Sequence, residues 1–340
     1  MRRIIVTVDT EGHKGKDPID KLIWGSTEQG RYGIEMIMDI FDEVGAKVLF
    51  FVDFAECADY GYDRIKEVCD CIITRGHDIG VHLHPDHMMD PERLFLFEYS
   101  SEDQERMITE CTELYEKIVG RKPLSFRAGK YSADHRTLDI LSELGYKYDF
   151  SEFYHQKWCG INPPITVNAP VKYRTLTEFP VTMFQGVHMG VFKREDKIDV
   201  EIMEPDEMRY ALNQTLKAGF PMAVTLFMHS FTLMDWRGHP DTPLPNETNI
   251  ERARAAARFI KESPDFEFIG EAELCDIETV SEEKALSSHI KWSNQLKGFC
   301  FTYRRAKEIK NFKAQALVWG TRALVAAVAV LIIIFIINLL

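Results

Sequence analysis

Short apolar runs alternate with amphipathic stretches along most of the chain. The runs Arg3–Val8, Lys47–Val52, Asp78–His84, Ser125–Arg127, Tyr146–Phe150, Leu176–Pro180, Met222–His229 and Phe266–Ile269 predict buried strands. Helical spacing of apolar positions predicts helices over Tyr32–Val44, Tyr62–Arg75, Ser101–Val119, Ala133–Leu144, Glu204–Ala218 and Asn249–Lys261. Acidic residues follow Ser101, while Gly120, Gly145 and Gly219 stand after the last helical turns, as start and stop signals should. Near-continuous apolar strands separated by helices predict an α/β fold with a parallel sheet or barrel. In such a barrel, chemistry collects where the strands end. Asp9, Glu11, His82, His84, Arg127 and His229 all fall at or just past predicted strand ends.

The pattern changes at the C-terminus. Ala323–Leu340 holds 18 residues of which only Asn338 is polar. As a helix it would be about 27 Å long, against about 30 Å of bilayer hydrocarbon. Before it lies a basic stretch: residues 281–322 hold nine Lys/Arg against three Asp/Glu, with Arg304, Arg305, Lys307, Lys310 and Lys313 close together and Trp319 at the expected interface. The expectation is therefore a globular domain over 1–275, a basic juxtamembrane linker over 276–322, and a transmembrane helix over 323–340 that anchors the chain in membrane lipid. Arg2 and Arg3 run directly into a short strand-like segment instead of a signal-peptide core, so the globular domain is expected to face the cytoplasm. Seven scattered cysteines without a CxxC pair read as free thiols of a reducing compartment. The formal net charge of −12, more negative still outside the basic stretch, argues against nucleic acid as a partner.

Two segments concentrate the chemistry. In Thr7-Val8-Asp9-Thr10-Glu11-Gly12, alternation puts both carboxylates on one side of an extended strand. Such a pair repels unless a cation or a shared proton relieves it. In residues 77–87, His77, His82, His84, His87, Asp78 and Asp86 crowd into eleven positions of a chain with 11 His in all. His82 and His84 share a strand face and can chelate one ion. Two imidazoles and one carboxylate, with positions left for water and substrate, form a common catalytic divalent-metal arrangement. His77 precedes the apolar centre of its strand and reads as structural. Phe126-Arg127-Ala128-Gly129-Lys130-Tyr131 and Ala223-Val224-Thr225-Leu226-Phe227-Met228-His229 place a further Arg and His at strand ends.

In this order the motifs resemble the NodB-homology polysaccharide deacetylases, carbohydrate esterase family 4, over roughly residues 1–275. The His82-Leu83-His84-Pro85 spacing is most similar to WalW-like members linked to lipopolysaccharide biosynthesis. The resemblance implies an irregular (β/α) barrel and hydrolysis of the acetamido group of an N-acetylated sugar in a glycan or lipid-linked polysaccharide intermediate. It implies a divalent metal, zinc by preference, on Glu11, His82 and His84, with Asp86 and His87 as alternatives for the third ligand. Asp9 then acts as base, Arg127 keeps Asp9 ionised, and His229 acts as acid. Tyr131 walls the sugar groove, and Leu226 or Phe227 lines the acetyl pocket. Asp149 and Glu178, each at a predicted strand end, are candidates for orienting His229 or flooring the groove. The chain departs from the family at Thr10-Glu11, where the second acid is shifted by one position. The alternatives are a metal-independent, allantoinase-like C–N hydrolase on the same barrel, and a non-catalytic glycan-binding protein.

Overall fold

A computed structural model describes all residues except 13–16, 190–191, 240–241, 309–314, 317, 324–326, 329–330 and 332–340. Two compact units emerge: Met1–Phe184 with Lys197–Ile290, and Gln185–Asp196 with Lys291–Leu340.

The first unit is built on a nine-stranded sheet. Its strands are β1 (Arg2–Thr10), β2 (Val48–Asp53), β3 (Asp78–Leu83), β4 (Ser125–Ala128), β5 (Tyr148–Asp149), β6 (Val171–Tyr173), β7 (Leu176–Glu178), β8 (Ala223–His229) and β9 (Phe266–Ile269). They run in the order β8-β1-β2-β3-β4-β5-β7-β6, and every pairing is parallel except β6 with β7. Strand β1 is bonded on both edges. One edge takes β8, and the other takes β9 over residues 2–5 and then β2 over residues 6–10. The result is a curled half-barrel.

Most of the parallel crossovers carry a helix that covers the sheet. Those helices are α1 (Ile34–Asp42), α2 (Tyr62–Thr74), α3 (Ser101–Val119), α4 (His135–Leu144), α5 (Pro205–Thr215) and α6 (Glu247–Glu262). Local chemistry sets their ends. The Ser100 hydroxyl accepts the Asp103 N–H at the start of α3, and the Asp134 carboxylate accepts the Arg136 and Thr137 N–H groups at the start of α4. Helix α5 stops at Thr215, one turn before Gly219.

Inside the curl, strand alternation stacks side chains in levels. Ile5, Leu49, Ala223 and Ile269 lie at the bottom with Phe51, Phe150 and Phe179, all buried in one cluster. Phe51 and Phe150 meet at 5.3 Å between ring centroids, and Phe150 stacks on Phe179 at 5.5 Å. Gly80 on β3 makes room for this level, because a Cβ there would stand 2.8 Å from the Phe51 ring. Further along the same faces of β1, β2, β3, β4 and β8 come Asp9, Asp53, His82, Arg127 and His229. Register ties them together: Asp9 pairs with His229, Asp53 with His82, and His82 with Arg127.

The second unit contains helix α7 (Gln295–Glu308). Trp292 is buried there, edge-on to Phe301 at 5.7 Å, and Asp196 takes Arg194 at 3.2 Å and Arg305 at 2.5 Å.

Among the described residues no helix is long and apolar enough to cross a membrane. This corrects the expected membrane localisation, with a cytoplasm-facing body, and the lipid partner inferred from it. Helix α7, ahead of residues 323–340, has 14 residues and carries Lys297, Arg304, Arg305, Lys307 and Glu308, whereas a span needs about 20 mostly apolar residues; beyond it the described residues are helical only in runs of at most six. Most of 323–340, on which the expectation rested, lies outside the described residues.

Candidate metal and hydrolytic site

Strand β1 carries Asp9 and then, just past its end, Glu11. Both are buried. Strand β3 carries His82, and His84 follows in extended conformation, so both rings project to the same side as Glu11. Glu11 Oε2 lies 2.5 Å from His84 Nε2 and 3.4 Å from His82 Nε2. The rings meet edge to face at 5.1 Å. His82 Nδ1 is fixed by the Arg127 carbonyl at 2.8 Å, which turns Nε2 toward Glu11. Both Nε2 atoms are buried, yet neither makes a hydrogen bond.

Buried polar atoms without partners are costly. Two such nitrogens converging on one carboxylate oxygen are what a shared cation relieves. The three ligand atoms lie within 4.8 Å of one another, so the group can hold a metal ion. A backbone approach completes it: a Cβ at Gly129 would sit 2.6 Å from the His84 ring, so only glycine lets that ring lie flat against the turn after β4.

Arg127 is almost wholly buried. It donates through Nη1 to Asp9 Oδ1 at 2.6 Å, through Nη2 to the Thr7 hydroxyl at 3.2 Å, and through Nε to the Phe150 carbonyl at 3.3 Å. Its guanidinium lies over Phe51 at 4.3 Å. Burial alone would push the Asp9 carboxyl up. The Arg127 guanidinium, helped by His82 and His229, outweighs it and holds Asp9 below the usual carboxylate range.

His229 ends β8, stacked on Phe231 at 4.7 Å and edge-on to Phe227 at 4.8 Å. Its orienting group is Glu201. Glu201 Oε1 lies 2.9 Å from His229 Nδ1 and accepts the Thr232 hydroxyl at 2.8 Å. Burial lowers the His229 imidazole, but Glu201 more than offsets it and leaves it above the ordinary histidine value. Glu201 itself, against the upward push of burial, is held down to about 2, with His229 the main cause. Asp149 and Glu178 do not orient His229. The Asp149 carboxylate accepts the Ser151 hydroxyl, and Glu178 accepts the Glu152 N–H.

Tyr131 follows Lys130 in a turn where both residues have positive φ, 53° and 58°. Two successive non-glycine residues in that region are strained. The turn puts the Tyr131 ring against Phe153 and Phe227, in a buried cluster with Val181 and Met183. Lys197 joins this group: its Nζ lies 3.2 Å from the Phe227 ring centre, 3.2 Å from the Tyr131 hydroxyl and 3.2 Å from Asp199 Oδ2. Leu226 is fully buried and, by strand alternation, points to the opposite face from Phe227. Of the other histidines, His77 accepts the Val48 N–H at 3.2 Å, and His87 turns to Asp59. Asp86 Oδ1 stands 3.9 Å from His84 Nδ1, behind the ring.

Glu201 and Lys197 are the site residues that sequence reasoning missed. Both lie in a stretch where charged residues abound; Lys197 ends a strand of a separate two-stranded sheet, and Glu201 lies outside any strand. The spacing Asp199-Val200-Glu201 repeats the alternating carboxylates of Asp9 and Glu11, which is the one local signal available.

Residues 27–148 match a family model described as polysaccharide deacetylase. Over that segment the chain is similar to the polysaccharide deacetylases. The peptidoglycan deacetylase-like protein FGM2 of Gibberella zeae is 28% identical over 127 residues, 36% of this chain and 33% of the relative. The chain thus spans about a third of the length of the curated relative it matches. A Mycobacterium smegmatis structure described as a polysaccharide deacetylase superposes with a TM-score of 0.53 at 19% identity, covering 80% of this chain and 89% of its own; this is a likeness of fold. A family 4 carbohydrate esterase from Streptomyces lividans in complex with acetate aligns over 84% of this chain and 95% of its own, at TM-score 0.42 and 9% identity, too distant to weigh. The deacetylase match includes β2, β3 and β4, and so His82, His84 and Arg127. Asp9, Glu11 and His229 lie outside it.

Proposed function

We propose that this polysaccharide-deacetylase relative is a metal-dependent N-deacetylase that hydrolyses the acetamido group of an N-acetylated sugar in a glycan or lipid-linked intermediate. The observation that carries the reading is the convergence of three groups at one end of the sheet. These are the Glu11–His82–His84 cluster, an Asp9 committed to Arg127, and a His229 committed to Glu201.

In this reading Glu11, His82 and His84 hold a divalent ion, with zinc suited to two imidazoles and a carboxylate. When bound, such an ion supplies Lewis-acid polarisation of the amide carbonyl and a more acidic water. Asp9 Oδ1 is taken by Arg127, so Oδ2 is the oxygen that accepts the proton of the attacking water. His229 Nδ1 is taken by Glu201, so Nε2 is the atom that donates to the departing sugar amine. Without that proton the amine would leave as a strongly basic anion. Acetate and a free amino sugar result. Tyr131 is the ring proposed to wall the place of the sugar and its acetyl methyl, with Phe227 packed behind it at 6.0 Å between ring centroids. The His-x-His-Pro spacing supports the narrower proposal of a lipopolysaccharide-type substrate.

The test is acetate release from N-acetylglucosamine oligomers by the full chain, before and after chelation and zinc restoration. Release that is lost and restored is expected. No release from any N-acetylated glycan by metal-loaded protein overturns the reading. Hydrolysis indifferent to chelation would favour the metal-independent C–N hydrolase instead.

A further inference from the structure

A second group of potential ligands lies beside the first and shares no side chain with it. Asp53 ends β2, Glu56 sits in the single helical turn that follows, and His87 lies in the turn after His84. Their ligand atoms all fall within 4.8 Å of one another. Asp53 and Glu56 are completely buried, and the His87 side chain is only 5% exposed.

The polar contacts of these residues leave the centre of the group unsatisfied. Glu56 accepts the Gly12 N–H on Oε1 at 2.5 Å, but its buried Oε2 has no hydrogen-bond partner. Asp53 accepts the Ala55 N–H on Oδ1 at 2.9 Å and the His84 N–H on Oδ2 at 3.3 Å, both from backbone. His87 is gripped from behind: its Nδ1 lies 2.7 Å from Asp59 Oδ2, and its Nε2 faces Glu56 Oε1 at 4.0 Å. A carboxylate holding the far nitrogen of a histidine is the usual outer support of a metal-ligating imidazole, because it fixes the tautomer and aims the other nitrogen. Two fully buried carboxylates side by side also repel unless a cation or a shared proton relieves them.

We propose that Asp53, Glu56 and His87 form a second divalent-cation site, distinct from the Glu11–His82–His84 cluster. Two carboxylates and one imidazole suit a first-row ion such as Mn²⁺ or Zn²⁺. The site goes beyond the deacetylase reading and does not depend on it, since no ligand is shared. It is nonetheless tied to the first site through the backbone. Asp53 holds the N–H of His84, and Glu56 holds the N–H of Gly12, the residue next to Glu11.

The test is metal stoichiometry. The full chain is loaded separately with Mn²⁺ and Zn²⁺, freed of excess metal by gel filtration, and analysed by elemental mass spectrometry. Two equivalents per chain are expected for at least one of the ions. His87→Ala and Glu56→Gln should each leave one equivalent, His82→Ala should also leave one, and His82→Ala with His87→Ala should leave none. Circular dichroism of each variant checks folding, and His87→Ala, at the solvent edge of the group, decides the question should Glu56→Gln fail to fold. A wild-type chain holding one equivalent that disappears with His82→Ala would overturn the second site and leave the deacetylase reading standing. One equivalent that disappears with His87→Ala alone would do the reverse. Two equivalents unchanged by His87→Ala would overturn the assignment of these ligands.

Discussion

His229 and Glu201 meet at 2.9 Å between Nδ1 and Oε1, and the same carboxylate oxygen also receives the Thr232 hydroxyl. This pairing keeps the imidazole protonated above its ordinary range despite burial. If His229 is the acid, activity persists at rising pH until that raised value is passed. Glu201→Gln removes the main anion and leaves burial and Lys197 opposed only by Glu11, so the histidine pKa falls. The basic limb of the pH–rate profile should therefore move to lower pH. A limb that stays in place would show that His229 is not the titrating acid.

The acid limb belongs to Asp9 in the same scheme. Because Arg127 holds this carboxyl below its usual range, Asp9 stays ionised to lower pH than a free aspartate. Asp9→Asn should retain metal while losing about a hundred- to ten-thousandfold in turnover, the usual scale of a missing general base. Loss of metal in this variant would instead make Asp9 a ligand.

Arg127→Ala should act on stability as well as on pH dependence. It strands Asp9 as a buried, unpaired charge, a change that typically costs about 3–5 kcal/mol. Thermal unfolding should shift strongly downward, and in the surviving folded protein the acid limb should move to higher pH. An unchanged melting temperature would contradict the buried ion pair.

Gly129 makes a sharper test of the metal cluster than ligand removal does. Alanine there must displace the His84 ring, since a Cβ would stand 2.6 Å from it. Overpacking of this kind costs about 1–3 kcal/mol. Zinc affinity measured by competition with a chromogenic chelator should fall while Glu11, His82 and His84 all remain. Unaltered affinity would mean that the ring does not need that place.

Much of the scaffold could be read from the sequence, because buried parallel strands are nearly continuous apolar runs. Phe266–Ile269 and Ser101–Val119 were predicted with the ends they have. The antiparallel strand Val171–Tyr173 was not, being three residues long and placed by its partner Leu176–Glu178 instead of by its own pattern. Strand alternation similarly explains why Asp9, His82, Arg127 and His229 could be named from the sequence: each lies at a sheet-strand end. Glu201 reaches the site from outside the sheet strands, where no periodicity points inward. Leu226 and Phe227 could not be separated without knowing which face of β8 looks into the curl. The hydropathy of 323–340 stands apart, since most of that segment lies outside the described residues.

The two-sided bonding of β1 bears on how the molecule comes apart. Amides along Ile4–Asp9 are sandwiched between β8 and the β9–β2 edge, so their hydrogen exchange should require global opening. Strand β8 is different. Its outer edge is closed by an isolated bridge from Asp199 to Phe227 and, at Thr225, by hydrogen bonds between backbone and hydroxyl shared with Thr182. Glu201 follows that bridge by two residues. A local fluctuation that frees Asp199–Glu201 would release the partner of His229 while Asp9, Arg127 and the metal cluster stay folded. In the proposed scheme the proton-donating half of the site would then fail first on warming, leaving a chain that binds metal without turning over.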